Sequence, residues 1–279
     1  MTNISSLLQG ILPLTRDVLF DEPNEVLAAY AGVGMPSLRI GEVPYGPGEV
    51  SYHRVKAACA LRILVDPSML KARYETLRSD ALANDADALN DLGWLWLNGR
   101  GMPADAALAR RLFKLAWAEG ACEAAFNLAE LAWYGKDGRV DIPLAIDHYQ
   151  QAHAGGIICA ARSLGRLYEE GDEGVPADPI QAAHWYRLGA GQQDDEAELS
   201  LGCLLLDDTS AVFNLPEALY WLQCVAMKGS IIAAEHLADL YITAFKSPPD
   251  PDGLLHVFWR DHAIRLGSSW ARDRASEVS

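Results

Sequence analysis

Few side chains in this sequence stand at spacings that chemistry uses. Ser68 and Lys71 (Ser68-Met-Leu-Lys71) are three apart, the spacing at which a lysine can activate a serine nucleophile. The companion Ser-Asp-Asn and Lys-Thr-Gly elements are missing, and Ser68 reads as the first turn of a helix. Asp250-Pro251-Asp252-Gly253 has carboxylates of a calcium loop, but Pro251 interrupts it and no glutamate stands at the twelfth position. Gly32-Val33-Gly34 lacks the third glycine and the preceding strand of a dinucleotide site. His148 and His153 lie five apart on one predicted helix, so they point roughly 140° away from each other and cannot form an i, i+4 metal pair. His184 and His262 stand beside Trp185 and Trp259, where ring packing is expected. The five cysteines, Cys59, Cys122, Cys159, Cys203 and Cys224, are odd in number and include no CxxC pair. They signal neither a disulfide framework nor a thiolate metal site. Among Ala, Leu and Ile they read as small buried hydrophobes in a reducing compartment, hence the cytoplasm. No catalytic, cofactor-binding or metal-ligating residue is assigned, and the expectation is a non-enzyme without a cofactor.

Composition narrows the partners. The chain has 279 residues, with 38 acidic against 23 basic side chains and a net charge of −15. That balance argues against nucleic acid, whose phosphates demand clustered Lys and Arg, and against anionic membrane surfaces. The apolar share of 50% rules out a wholly disordered chain, and no apolar run is long enough for a transmembrane helix. Met1 to Leu14 lacks the basic start of a secretory signal. The expected partner is another protein, met through a helix or peptide segment, and the acidic balance tolerates or prefers a basic one.

Internal repeats decide the fold. A Leu followed by Gly or Ala recurs at Leu92-Gly93, Leu128-Ala129, Leu164-Gly165, Leu201-Gly202 and Leu237-Ala238, at intervals of 36, 36, 37 and 36 residues. Asp105, Asp141, Asp178, Asn214 and Asp252 repeat in the same frame, each four residues before Ala109, Ala145, Ala182, Ala218 and, in the last unit, His256. Gly120, Gly156, Gly229 and Gly267 lie eleven residues further on, with Gln193 in that place in the third unit. The elements follow from these markers. Ala88, Leu92, Leu95 and Trp96 have helical spacing, and the Gly-rich stretch from Asn98 to Pro103 stops that helix. Asp105 supplies an N-cap oxygen to a second helix, with Pro143, Pro179 and Pro216 in the first turns of the later ones. Ala109, Leu112, Phe113 and Ala116 form its apolar face. One hairpin cannot bury its own apolar face, so neighbours must stack, and the reading is an all-α, right-handed α-solenoid of helix-turn-helix units.

Leu164-Gly-x-Leu167-Tyr168, Gly171 to Val175, Asp178, Ala182 and Trp185-Tyr186 resemble the Sel1-like repeat, a relative of the tetratricopeptide repeat. The resemblance covers about five units, 85–120, 121–156, 157–193, 194–229 and 230–267, within an array spanning 84–279. Unit four departs by replacing its glycine turn with Asp207 to Asn214, and unit five by a longer Pro-rich turn from Ser247 to Gly253. The family implies a non-enzymatic, mostly bacterial adaptor, chaperone-like scaffold or regulator. An immunity-type inhibitor of a partner enzyme is the alternative, and a hydrolase the weaker one.

Residues 1–83 fall outside the frame. Leu7 to Phe20 and Asn24 to Ala31 read as short amphipathic helices, and 32–48 as a Gly/Pro-rich loop. Val50 to Leu64 and Pro67 to Ala83 read as a helix pair that caps the open apolar end of the array. In a tetratricopeptide-like hairpin the residues two before and two after the marker Leu face the concave side. That rule selects Asn90, Trp94, Phe126, Glu130, Arg162, Arg166, Leu199, Cys203, Glu235 and Asp239, with Leu97, Trp133, Glu169 and Leu206 a turn further along. Of these, Asn90, Trp94, Leu97, Phe126, Glu130, Trp133, Arg162, Arg166, Glu169, Cys203 and Asp239 are the expected partner-binding residues. Trp94, Phe126 and Trp133 are expected to form an exposed aromatic contact patch.

Overall fold

The structure is a computed structural model that describes residues 4–20, 67–99, 102–172, 174–242, 250 and 252–277. The predicted helices Asn24 to Ala31 and Val50 to Leu64, and the 32–48 loop, lie outside the described residues. Helix makes up 74% of what is described, with no strand among the described residues. The fold is the expected all-α stack of consecutive helix pairs. It divides into two compact units, Met1–Ile157 and Ile158–Ser279.

The first unit holds α1 (Ile4–Ile11), α2 (Pro67–Leu82), α3 (Ala86–Asn98), α4 (Ala106–Ala118), α5 (Cys122–Tyr134) and α6 (Ile142–Ala154). The second holds α7 (Ile158–Glu170), α8 (Pro179–Gly191), α9 (Asp195–Leu204), α10 (Leu215–Met227), α11 (Ile231–Ile242), α12 (Leu254–Leu266) and α13 (Ser269–Glu277). Leu7 to Phe20 is not one helix. Pro13 cannot donate to a helical ladder and crowds the preceding turn, so α1 ends at Ile11 and only a 3-10 turn, Thr15–Asp17, follows. The Pro13 carbonyl instead accepts from the Tyr74 hydroxyl and from Arg78 Nε, both at 3.0 Å. Helix α2 buries Leu70, Tyr74, Leu77 and Ala81 and packs on α3.

In the three hairpins whose marker is Leu-Gly, the second helix sends a large side chain at that glycine. A Cβ on Gly93 would lie 2.6 Å from the Phe113 ring, and one on Gly202 would lie 2.8 Å from Leu222 Cγ. Gly165 meets the Tyr186 ring in the same way. The marker glycines are therefore notches that let two helix backbones approach.

The turn between the helices is equally regular. The cap residue's side chain accepts from the helix it starts: Asp105 from Leu108 N at 2.8 Å, Asp141 from Leu144 N at 3.1 Å, Asp178 from Gln181 N at 3.1 Å. Its own N–H returns to the first helix, from Asp105 to the Trp96 carbonyl at 2.8 Å and from Asp178 to the Tyr168 carbonyl at 2.7 Å. Unit four keeps this return, Asn214 N to the Leu205 carbonyl at 3.0 Å, although its turn is rebuilt around Asp207, which accepts from Thr209 N at 2.9 Å. Unit five differs. Gly253 occupies the cap position without a side-chain bond, and Asp250, not Asp252, accepts from His256 N at 2.9 Å. His256 itself replaces the small alanine and bonds the Ala238 carbonyl through Nδ1 at 3.0 Å.

The end of each second helix turns through a left-handed residue: Gly120 at φ 99°, Gly156 at 90°, Gly229 at 104° and Gly267 at 106°. Gln193 adopts φ 64°, so the third unit departs in residue type but keeps the backbone. Two stability changes of opposite sign are expected. Gln193→Gly should raise the unfolding free energy of the full chain by about 1 kcal/mol, because a side chain in this region costs about that much. Gly165→Ala should lower it, since overpacking costs roughly 1–3 kcal/mol against the ~1 kcal/mol that alanine gains in a helix. Denaturant melts of both variants check this.

Candidate functional site

On a helix the residues two before and two after a buried marker lie close together, nearly opposite the marker's own direction. The five marker leucines are buried. Whether the opposite face is open then depends on what packs there, and the two units differ.

In the first unit that face is closed on α3, and on α5 Phe126 and Trp133 are buried while Glu130 is partly accessible. Helix α3 is buried continuously from Ala88 to Leu97, so Asn90 (0% exposed), Trp94 (1%) and Leu97 (5%) present nothing to solvent. Asn90 Oδ1 accepts from Asn127 Nδ2 of the next repeat at 2.8 Å, a buried polar link between α3 and α5. Phe126 and Trp133 are each 8% exposed. They stand seven residues apart, two turns along one face, and both set their rings edge-on against Tyr149 of α6, at 5.4 and 5.9 Å between centroids. The Tyr149 hydroxyl donates to Glu130 Oε1 at 2.5 Å. The expected exposed aromatic patch of Trp94, Phe126 and Trp133 is therefore corrected. Phe126 and Trp133 are hairpin core because Tyr149 of the second helix gives them a ring to pack against, and Trp94 belongs to the buried core of the first unit.

In the second unit the face carries accessible charge. Arg162 pairs with Asp194 at 3.5 Å and also contacts Glu196, both from the start of the next repeat. Arg166 is exposed and sits 3.9 Å from Glu170, one turn on. Glu169 Oε2 accepts from the Tyr186 hydroxyl at 2.6 Å. Burial, and then the neighbouring Glu169, push the Tyr186 phenol well above its usual range. Burial also raises the Cys203 thiol to about 11, with the Glu169 charge adding to it, so Cys203 is a neutral thiol near pH 7 rather than a nucleophile. Asp239 of α11 lies 3.2 Å from Arg274 of α13. Arg166, Cys203 and Asp239 hold the same position, two after the marker, in three successive first helices.

Sequence reasoning missed the second-helix partners that organise these faces. Tyr149 and Tyr186 both lie four residues after the repeated alanine, a register shared by Phe113 and Leu222, and that regularity was available in the sequence. Lys228 was not legible as a link: from the end of the fourth repeat it binds back to that repeat's first helix, at Asp195 (2.8 Å) and the buried Glu198 (2.7 Å). His184 does pack edge-on against Trp185, and His262 against Phe258 and Trp259. Ser68 lies in the first turn of α2. Among the described residues no group of three His, Cys, Asp or Glu side chains could hold a metal ion. No described helix is long and apolar enough to cross a membrane.

Comparison with known proteins agrees with this geometry. A family model described as the Sel1 repeat matches residues 86–120, 122–156, 160–194 and 195–230, about half of the chain. The hairpin of α11 and α12 lies beyond the matched residues. A protective antigen of uropathogenic Escherichia coli with an SLR fold superposes with a TM-score of 0.62, at 23% identity, covering 79% of this chain and 45% of its own. A Sel1 repeat protein from Oxalobacter formigenes gives 0.58 at 26% identity, covering 69% of this chain and 78% of its own. Chitin synthase regulatory factor 3 of Schizosaccharomyces pombe is 26% identical over 284 residues, 96% of this chain but 28% of its own length. The chain spans about three-tenths of the length of the curated relatives it matches.

The reassignment of the aromatics has a direct consequence. Trp133→Ala should destabilise the folded chain by roughly 3–5 kcal/mol, the usual cost of emptying a buried aromatic site. A thermal melt checks this, and an unchanged midpoint would return Trp133 to the surface.

Proposed function

The chain belongs to the Sel1 repeat family, and from that premise we propose that it is a non-catalytic scaffold that binds a partner protein along the first helices of its second unit. Sel1 repeat proteins are generally protein-interaction scaffolds. The observation that carries the reading to particular residues is the contrast between the units. The face opposite the marker leucines is sealed on α3, whereas on α7, α9 and α11 it presents the charged side chains of Arg162, Arg166, Glu169 and Asp239 and the partly buried Cys203. Charged residues around a partly buried centre suit a partner helix or peptide held by complementary charge. The net charge of −15 favours a partner with basic residues, drawn in by long-range attraction. The thiols of Cys122, Cys203 and Cys224 are not in disulfides, which supports a reducing compartment and hence the cytoplasm.

Control of a partner enzyme is a second form of the same reading. It is supported by the relative named as a chitin synthase regulatory factor, which aligns with nearly the whole of this chain. The two forms differ in outcome. A scaffold leaves its partner active, whereas a regulator or immunity-type inhibitor changes the partner's turnover on binding.

The test is affinity capture from the protein's own cells with wild type and with the double variant Arg166→Glu, Asp239→Lys. Reversing two accessible charges should weaken capture of the major partner by about tenfold or more, equivalent to roughly 1.4 kcal/mol, while the melt stays near wild type. Equal capture by both proteins would overturn the face. Assaying the captured partner with and without this chain separates scaffold from regulator, and hydrolytic turnover by the purified chain alone would overturn the non-catalytic reading.

A further inference from the structure

Between the second helices α4 and α6, above α5, the first unit opens a cleft of about 40 Å³. Arg110 and Lys114, one turn apart on α4, form one wall, and Leu144 and His148, one turn apart on α6, form the other. Leu128, Leu131 and Ala132 of α5 make the floor. A single buried water needs roughly 10–15 Å³, so the cleft takes a group of a few heavy atoms, the size of a branched side-chain tip.

The charge at its mouth is unlike the rest of the chain. Helix α4 carries Arg110, Arg111 and Lys114 and no carboxylate from Ala106 to Ala118, in a chain of net charge −15. No other described helix is so one-sidedly positive. Arg110 is engaged by Asp137 from the turn after α5. Arg111 and Lys114 are exposed and carry the charge that meets solvent. Across the cleft, burial holds the His148 pKa below its usual value, with the Lys114 charge adding to the effect against the pull of Gln151 and Asp147. The ring is therefore neutral near pH 7, and its Nδ1 is buried without a hydrogen-bond partner. The wall facing the cations thus combines Leu144, 43% exposed, with an uncharged ring.

We propose that this cleft docks an acidic segment of a partner protein, with an apolar side chain entering between Leu144 and Leu131 while flanking carboxylates lie along Lys114 and Arg111. The inference goes beyond the scaffold reading: it lies on other helices, in the other unit, and selects the opposite charge. Charge complementarity fixes the occupant's sign, since a basic segment attracted by the chain as a whole meets repulsion at α4. The apolar floor fixes the rest, since it leaves a purely ionic ligand without contact over the leucines. Nucleic acid and anionic lipid are disfavoured by the −15 net charge, which repels an extended phosphate surface.

Fluorescence anisotropy of a fluorescein-labelled peptide of Asp, Glu and Leu, titrated with the full chain, tests this against a twin peptide carrying Asn and Gln in place of the acids. The acidic peptide should bind more tightly than its twin, and added salt should weaken it. Lys114→Glu and Arg111→Glu should each weaken binding by about tenfold, and Leu144→Ser should weaken it several-fold. All three positions are exposed, and circular dichroism confirms that the helices persist. Arg166→Glu with Asp239→Lys should leave peptide binding unchanged, so failure here and failure of the first-helix face are read separately. Equal binding of the twin, no response to Lys114→Glu, no anisotropy change up to millimolar protein, or loss of peptide binding in the Arg166/Asp239 variant would each overturn the proposal. Lys114-dependent retention on phosphatidylserine vesicles without peptide binding would overturn it in favour of a lipid surface.

Discussion

The approach of the two helices in three of the hairpins rests on one steric constraint, a notch in the first helix that receives a large side chain from the second. Gly93 receives Phe113, Gly165 receives Tyr186 and Gly202 receives Leu222, at separations where a methyl group on the glycine could not fit. Glycine in a helix interior costs about 1 kcal/mol relative to alanine, so its recurrence needs a return in packing. The return is complete burial: Phe113 and Leu222 are 0% exposed and Tyr186 is 1% exposed. The notch also sets the register, because a shift of one residue would place the ring against a Cβ.

The polar arrangement follows from that packing. A tyrosine in this second-helix register brings its hydroxyl to the neighbouring first helix, where it needs an acceptor once buried. Tyr149 finds Glu130 and Tyr186 finds Glu169. These carboxylates are held in place by core residues. The rings of Phe126 and Trp133 in turn close around Tyr149, so one hairpin combines hydroxyl acceptor and aromatic wall. The third repeat has no counterpart of that wall, since the equivalent positions are Arg162 and Glu169. Its first-helix face stays polar.

Junctions between repeats use a different chemistry. Asn90 with Asn127 and Arg162 with Asp194 each tie one repeat to the next, while Lys228 with Asp195 and Glu198 ties the end of the fourth repeat back to its own first helix. The Glu198 side chain is 5% exposed, so removing Lys228 would leave a nearly buried charge uncompensated. The links between repeats specify which repeat follows which, while the apolar notch sets the geometry inside three of the hairpins. The short turns add little freedom, since the cap residue both accepts from its own helix and donates back to the preceding one.

Periodicity, caps and turn residues are local properties, and they were legible without the structure. The Leu-Gly frame, the Asp caps and the terminal glycines located every helix from α3 to α12, because each is set by helical spacing and backbone chemistry within a few residues. Even the third repeat, where Gln193 stands for glycine, keeps the backbone that its neighbours imply. Pro13 was a local signal as well, and it divides Leu7 to Phe20 as its missing donor requires. Burial of the first-helix face was another matter. The same position two residues after the marker is Trp94 in one repeat and Arg166 in another, and whether either meets solvent depends on side chains that arrive from elsewhere in the chain. Tyr149 covers Phe126 and Trp133 from a separate helix, and Lys228 reaches Glu198 across 30 residues. Such contacts join residues that sequence spacing leaves unrelated, so tertiary structure alone decided which face of the repeat is core and which is surface.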